Sequence, residues 1–274
     1  MTRRFFSFDC LGAALHATLD EGDAATGLLV VSGGTAARSG AFGWQARLAA
    51  HIAAAGFPVF RFDRRGVGDS EGDDPGFRAS TPDIAAAVRS FRSEAPHVRR
   101  IVGFGNCDAA SALMLGEGAG LDALVLANPW TFDEGRESEH PPATVRSRLV
   151  QKIRRPSEWK RLAKGEMGFS SIRRTAIQAV RRAEPASHLM QEMEAGLARF
   201  PGTVRLLIAG RDRTAQAFRH AYGGDAPLQV IGDADHAFSA EPGRTALYKA
   251  VSAFLHEQAG EFDMGGPSKL PDGA

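Results

Sequence analysis

Two cysteines in 274 residues, Cys10 and Cys107, are too few to build a disulfide framework. Such scarcity fits a reducing compartment, so a cytoplasmic location is expected. The chain has no run of about 18 consecutive apolar residues, which rules out a helical membrane span. The opening segment Met1–Phe8 also lacks a long apolar stretch, so no secretory signal is expected. The formal net charge is only +1, too small to imply a polyanionic partner for the chain as a whole. No aromatic-interleaved basic motif suggests a nucleic-acid partner. The P-loop pattern is absent, so no nucleotide cofactor is expected. The histidines and cysteines are scattered without paired ligand spacing, so no metal is expected either.

What the chain has is an ordinary globular composition, 43% hydrophobic and 24% charged, at a length suited to one large α/β domain. Residues 3–20 read as an antiparallel hairpin. Core strands follow at Gly27–Val31, Phe57–Phe62, Ile101–Phe104, Ala123–Pro129, Val204–Gly210 and Leu228–Ile231. Between them, Ala41–Ala55 reads as a helix closed by Gly56, and Pro82–Ala95 as a helix capped by Thr81. Strands alternating with helices predict a mostly parallel, doubly wound sheet with its site at the strands' C-terminal edge.

The most informative segment is Ile101-Val102-Gly103-Phe104-Gly105-Asn106-Cys107-Asp108-Ala109-Ala110. It reads as a strand, a sharp turn and the start of a helix. The nucleophile elbow G-x-S-x-G has that layout, here with Cys107 in the nucleophile slot and Ala109 in the second glycine slot. Small residues two before and two after the nucleophile are needed because the chain reverses so tightly. The helix N-terminus beneath the thiol favours the reactive thiolate. The alternative is a structural cysteine, since free cysteine is often buried.

Two further groups follow in the order nucleophile, acid, histidine. Asp212 lies just past the strand ending at Gly210, and His236 lies in the loop after Leu228–Ile231. His236 would take the thiol proton, or hold Cys107 as a thiolate–imidazolium pair, and Asp212 would orient the imidazole and stabilise its positive charge. Asp233 and Asp235 are rival acids, disfavoured by their closeness to His236 in the chain. An oxyanion hole needs two aligned backbone N–H donors. Asp108, the residue after Cys107, should supply one. Gly34, in the loop Ser32-Gly33-Gly34-Thr35, should supply the other, with Thr35 as second choice.

The alternation of strands and helices breaks between 130 and 200. These residues read as a helical cap inserted between two parts of the core, residues 1–129 and 201–259. Within the break, Arg146–Arg182 carries twelve Arg or Lys against two acids, Glu158 and Glu166. That run is either a solvated face or an attractor for an anionic substrate, partner or membrane surface. The Gly- and Pro-rich stretch 260–274 is expected to be a disordered tail.

The chain resembles the exosortase A system-associated hydrolase 1 family of the α/β-hydrolase superfamily. The resemblance rests on Arg4–Cys10, Val31–Gly34, Phe57–Gly72 with its D-x-R-G-x-G-x-S loop, Gly105–Ala112, Asn128-Pro129-Trp130 and Asp235–Ser239. It implies an α/β-hydrolase fold with a helical cap, and a cytoplasmic bacterial protein linked to exopolysaccharide production. A departure is the small run Thr35-Ala36-Ala37 after the glycines, which bears on the shape of the acyl pocket. The expected activity is cleavage of a small-molecule ester or thioester through an acyl-cysteine. Acyl transfer to a sugar or carrier and a non-catalytic scaffold are the alternatives.

Overall fold

The computed structural model describes residues 2–132 and 187–264, with the backbone alone for 261–264. Eight strands run in chain order as β1 (Arg3–Cys10), β2 (Ala13–Asp20), β3 (Thr26–Val31), β4 (Val59–Phe62), β5 (Arg100–Asn106), β6 (Ala123–Ala127), β7 (Thr203–Ala209) and β8 (Leu228–Ile231). The described α-helices are α1 (Trp44–Ala54), α2 (Thr81–Glu94), α3 (Asp108–Leu115), α4 (His188–Arg199), α5 (Arg213–Ala221) and α6 (Gly243–Met264).

The strands form one sheet in the order β1-β2-β4-β3-β5-β6-β7-β8. β2 pairs antiparallel with β1 and β4, and every other pairing is parallel. This is the mostly parallel, doubly wound sheet that the strand–helix alternation predicts. The central strands are buried on both faces, which is why they read as continuous apolar runs.

Alternate residues of each strand serve opposite layers. Leu29, Phe60 and Leu124 pack with Ile84, Phe91, Leu113 and Phe218 of α2, α3 and α5. Leu28, Phe104 and Val125 pack on the other face with Leu48 and Ile52 of α1 and Val251 and Phe254 of α6. Each such side chain contributes about 1.5–3 kcal/mol when fully buried. The two layers hold the C-terminal tips of β3, β5, β7 and β8 at one edge.

Several boundaries differ from the sequence reading. α1 begins at Trp44 because Ala41–Gly43 forms a separate 3-10 turn with Phe42 at φ 53° and Gly43 at φ 70°. α2 is preceded by Ser80, not capped by Thr81, and the Ser80 hydroxyl donates back to Phe77 O at 2.9 Å. Helix α4 falls inside the stretch expected to form a cap, yet it belongs to the core layer. Its Leu189, Met190, Met193 and Leu197 form one apolar stripe packed into the α2–α3 cluster. The rest of the expected cap, residues 133–186, and with it the basic run Arg146–Arg182, lies outside the described residues. The expected tail starts too early at 260, because α6 continues to Met264, and residues 265–274 lie outside the described residues. Among the described residues, no helix is long and apolar enough to cross a membrane.

Candidate active site

β5 ends at Asn106 and α3 starts at Asp108, so Cys107 alone makes the turn. It does so at φ 64°, ψ −131°, a conformation L-residues rarely adopt. Packing on both sides holds it there. Cys107 N donates to Ala127 O at 3.0 Å, and Cys107 O accepts from Ala110 N at 3.0 Å. A Cβ on Gly105 would lie 2.8 Å from the backbone of Ala109 and Ala110, so only glycine allows the helix to start so close to the strand. Cys107 is half-buried on the wall of a cleft, while Cys10 is buried in the core. Burial and a 3.1 Å hydrogen bond to Asp83 push the Cys10 thiol up to about 11.

His236 and Asp212 meet at this edge from separate loops. His236 Nδ1 lies 2.8 Å from Asp212 Oδ2. The Asp212 carboxylate also accepts from Thr214 N at 3.2 Å and Ala215 N at 3.0 Å, making it the N-cap of α5. One carboxylate thus orients the imidazole while the helix start orients the carboxylate. The hydrogen bond to Asp212, followed by one to the Cys107 side chain, raises His236 to about 10 against the lowering effect of burial. Asp235 instead accepts from Ser239 N at 2.8 Å and from the Ser239 hydroxyl, tying its own loop together.

The Gly34 amide departs from the sequence expectation. Its N–H does face the elbow, but it donates to the Asp108 carboxylate, 2.8 Å from Oδ1 and 2.9 Å from Oδ2. The loop is shaped around that carboxylate. A Cβ on Gly33 would collide with Asp108 Oδ1 and sit 2.9 Å from Asn106 O. Gly34 itself has φ 54°, and its carbonyl accepts from buried Arg64 at 2.5 Å.

Two asparagines missed by the sequence reading as functional positions hold the histidine loop. Asn106 Nδ2 and Asn128 Nδ2 donate to His236 O at 3.2 and 3.1 Å. Asn128 also donates to Asn106 Oδ1 at 3.0 Å and accepts from Ala209 N at 2.7 Å. Asn128 is fully buried at φ 46°, a left-handed position that asparagine tolerates. A polar residue ending an otherwise apolar strand was the signal available in the sequence. The cleft has a volume of about 450 Å³ and is walled by Trp44, Phe77, Trp130 and Phe132.

A sheet in which β2 alone runs against the rest, with an elbow at the tip of β5 and a histidine loop after β8, defines the α/β-hydrolase class of enzyme. The chain belongs to the alpha/beta hydrolase family, which matches it over residues 28–246. No curated protein matches it in sequence. Among solved structures it is similar to Est1E from Butyrivibrio proteoclasticus with bound ferulic acid, at 16% identity over 93% of this chain and 99% of that one, with a TM-score of 0.60. The Pyrococcus furiosus esterase Pf2001 is 16% identical over 93% and 91% of the two chains, with a TM-score of 0.61. The alpha/beta hydrolase GrgF from Penicillium sp. sh18 is 14% identical over 95% and 100%, with a TM-score of 0.64. At these identities the likeness establishes the fold.

Proposed function

We propose that this hydrolase cleaves a small ester or thioester through an acyl-cysteine on Cys107. The observation that carries this reading is that Cys107 and His236 line one cleft while His236 Nδ1 lies 2.8 Å from Asp212 Oδ2. With Nδ1 turned to Asp212, the other ring nitrogen is left for the thiol. His236, whose hold on a proton is raised by Asp212 and Cys107, already carries the thiol proton, and Cys107 attacks the acyl carbon as a thiolate. A C–S bond forms and the carbonyl oxygen becomes an oxyanion. The C–X bond then breaks, and the alcohol or thiol leaves with the proton from His236. Water, deprotonated by His236, hydrolyses the thioester and frees Cys107.

The Asp108 N–H is one oxyanion donor in this reading, and the Gly34 N–H becomes the second once the Asp108 carboxylate moves away. The ester-cleaving relatives among similar folds support an ester or thioester bond as the target. The Cys-Asp-Ala-Ala-Ser and Asn-Pro-Trp runs support a setting beside exopolysaccharide production, and the two unpaired cysteines support a reducing, cytoplasmic compartment.

Intact-mass spectrometry with p-nitrophenyl esters and acyl thioesters tests the reading on wild type and Cys107→Ala. An acyl adduct or product release that disappears in the variant supports it. Turnover that survives in Cys107→Ala overturns it.

A further inference from the structure

The loop that should receive the substrate's oxyanion already holds an anion. Both oxygens of the Asp108 carboxylate lie within 2.9 Å of the Gly34 nitrogen. Gly33 is the residue that makes room for them, since any side chain there would meet Oδ1. A substrate oxyanion cannot accept from the Gly34 N–H at the same time, and two adjacent negative charges repel. The carboxylate must leave for the hole to form.

The walls indicate what draws it out. Among the described residues lining the cleft there is no Arg or Lys. His236, the one basic group among them, is committed to Asp212 and Cys107. Trp44, Phe77, Trp130 and Phe132 supply aromatic faces, which attract cations. A carboxylate among aromatic rings suits an alkylammonium group.

Resting on the acyl-cysteine reading, we propose that Asp108 is a specificity-determining residue that closes the oxyanion hole at rest and selects acyl donors carrying a positive charge close to the reacting carbonyl. The substrate's cation pairs with the carboxylate and releases the Gly34 N–H. Specificity and hole formation are then one event. This charge preference is opposite to the one the basic run Arg146–Arg182 would favour.

The test compares three thioesters of equal acyl length: butyrylthiocholine, its neutral S-(3,3-dimethylbutyl) isostere, and an analogue ending in a carboxylate. Product is quantified by chromatography for wild type, Asp108→Asn and Asp108→Ala. Wild type is expected to favour the cationic thioester by about tenfold or more in kcat/KM, with the anionic one slowest. Asp108→Ala should remove that preference and raise kcat/KM for the neutral thioester by about tenfold. Asp108→Asn loses the charge but keeps an acceptor for Gly34 N–H, so it should lose the preference without that gain. Equal rates on the three thioesters in wild type, or a preference unchanged in Asp108→Ala, overturn the proposal. If Asp108→Ala slows all three alike, Asp108 is only a tether between the β3 loop and α3.

A second readout needs no turnover. Intact mass follows Cys107 labelling by a trimethylammonium-ethyl methanethiosulfonate and by its neutral 3,3-dimethylbutyl isostere. The thiolate forms a disulfide with the reagent and methanesulfinate leaves. The cationic-to-neutral rate ratio should fall about tenfold in Asp108→Asn, and an unchanged ratio overturns the charge selection. Failure of the acyl-cysteine reading is seen separately, as thioester cleavage that persists in Cys107→Ala.

Discussion

Asp212 Oδ2 accepts from Ala215 N at 3.0 Å and lies 2.8 Å from His236 Nδ1, so one oxygen both caps α5 and orients the imidazole. The two jobs separate by substitution. A cap needs only an acceptor, and asparagine is a good N-cap residue. Stabilising an imidazolium needs the charge.

Asp212→Asn is therefore expected to keep the cap of α5, to lose the stabilisation that comes from pairing with protonated His236, and to lose activity by roughly a hundred- to ten-thousand-fold. Asp212→Ala should lose the same activity and about 1 kcal/mol of stability besides, because Thr214 N and Ala215 N lose their acceptor. Urea unfolding beside kcat/KM measurements on both variants checks this. Equal stability of the two would show that the cap contributes nothing.

The same pair makes stability depend on pH. His236 titrates near about 10 in the folded chain, raised first by its hydrogen bond to Asp212 and then by Cys107, from an ordinary value of 6.5. A folded pKa above the unfolded one means the native state holds the proton more tightly. The stabilisation is complete below about pH 6.5 and is lost as pH rises to about 10. The ring is 41% exposed, so solvent screening weakens the effect. In a Cys107→Ala background, which leaves Asp212 as the main cause, the stability lead over Cys107→Ala/Asp212→Asn should shrink between pH 6.5 and 10. A lead that grows over that window would reverse the sign.

The strands were legible because burial on both faces forces continuous apolar runs, as in Gly27–Val31 and Ala123–Ala127. The elbow was legible because its turn demands small residues at Gly105 and Ala109. The Asp108 contact was not, since it joins the loop after β3 to the first residue of α3, 74 residues away in the chain. Local propensity also failed at Ala41–Gly43, an alanine- and glycine-bearing start that reads as helix until Phe42 takes a positive φ. Helix α4 was misplaced for a related reason. An amphipathic stripe shows that a helix packs on something, but not which layer receives it.

Cysteine reactivity should divide sharply between the two thiols. Cys10 is 3% exposed, with its thiol pushed up to about 11, whereas Cys107 faces the cleft. Only the thiolate alkylates quickly. Iodoacetamide at neutral pH should modify Cys107 at least about a hundred times faster than Cys10 in the folded protein. Peptide mapping over a time course reads both rates, and similar rates would mean that the elbow thiol is not activated. Cys107→Ser should keep the fold but lose most activity, because a hydroxyl is a weaker nucleophile than a thiol at the same base.

Asn128 offers the clearest separation of positioning from chemistry. It touches no reacting atom, yet its side chain joins His236 O, Asn106 Oδ1 and Ala209 N. Asn128→Ala leaves the buried Ala209 N–H without its acceptor and puts alanine at φ 46°. These two effects together should cost about 2–4 kcal/mol. Asn128→Gly relieves the backbone but not the lost hydrogen bonds, so it should recover about 1 kcal/mol of stability and little of the activity. The remaining tie on His236 O, from Asn106 at 3.2 Å, keeps the loop near its place, so activity should fall without vanishing. Chemical denaturation measures the first difference, and the pH profile of kcat/KM measures the second. A profile displaced in Asn128→Gly marks a misoriented imidazole, whereas an unchanged profile and full activity would show that the clasp is structural only.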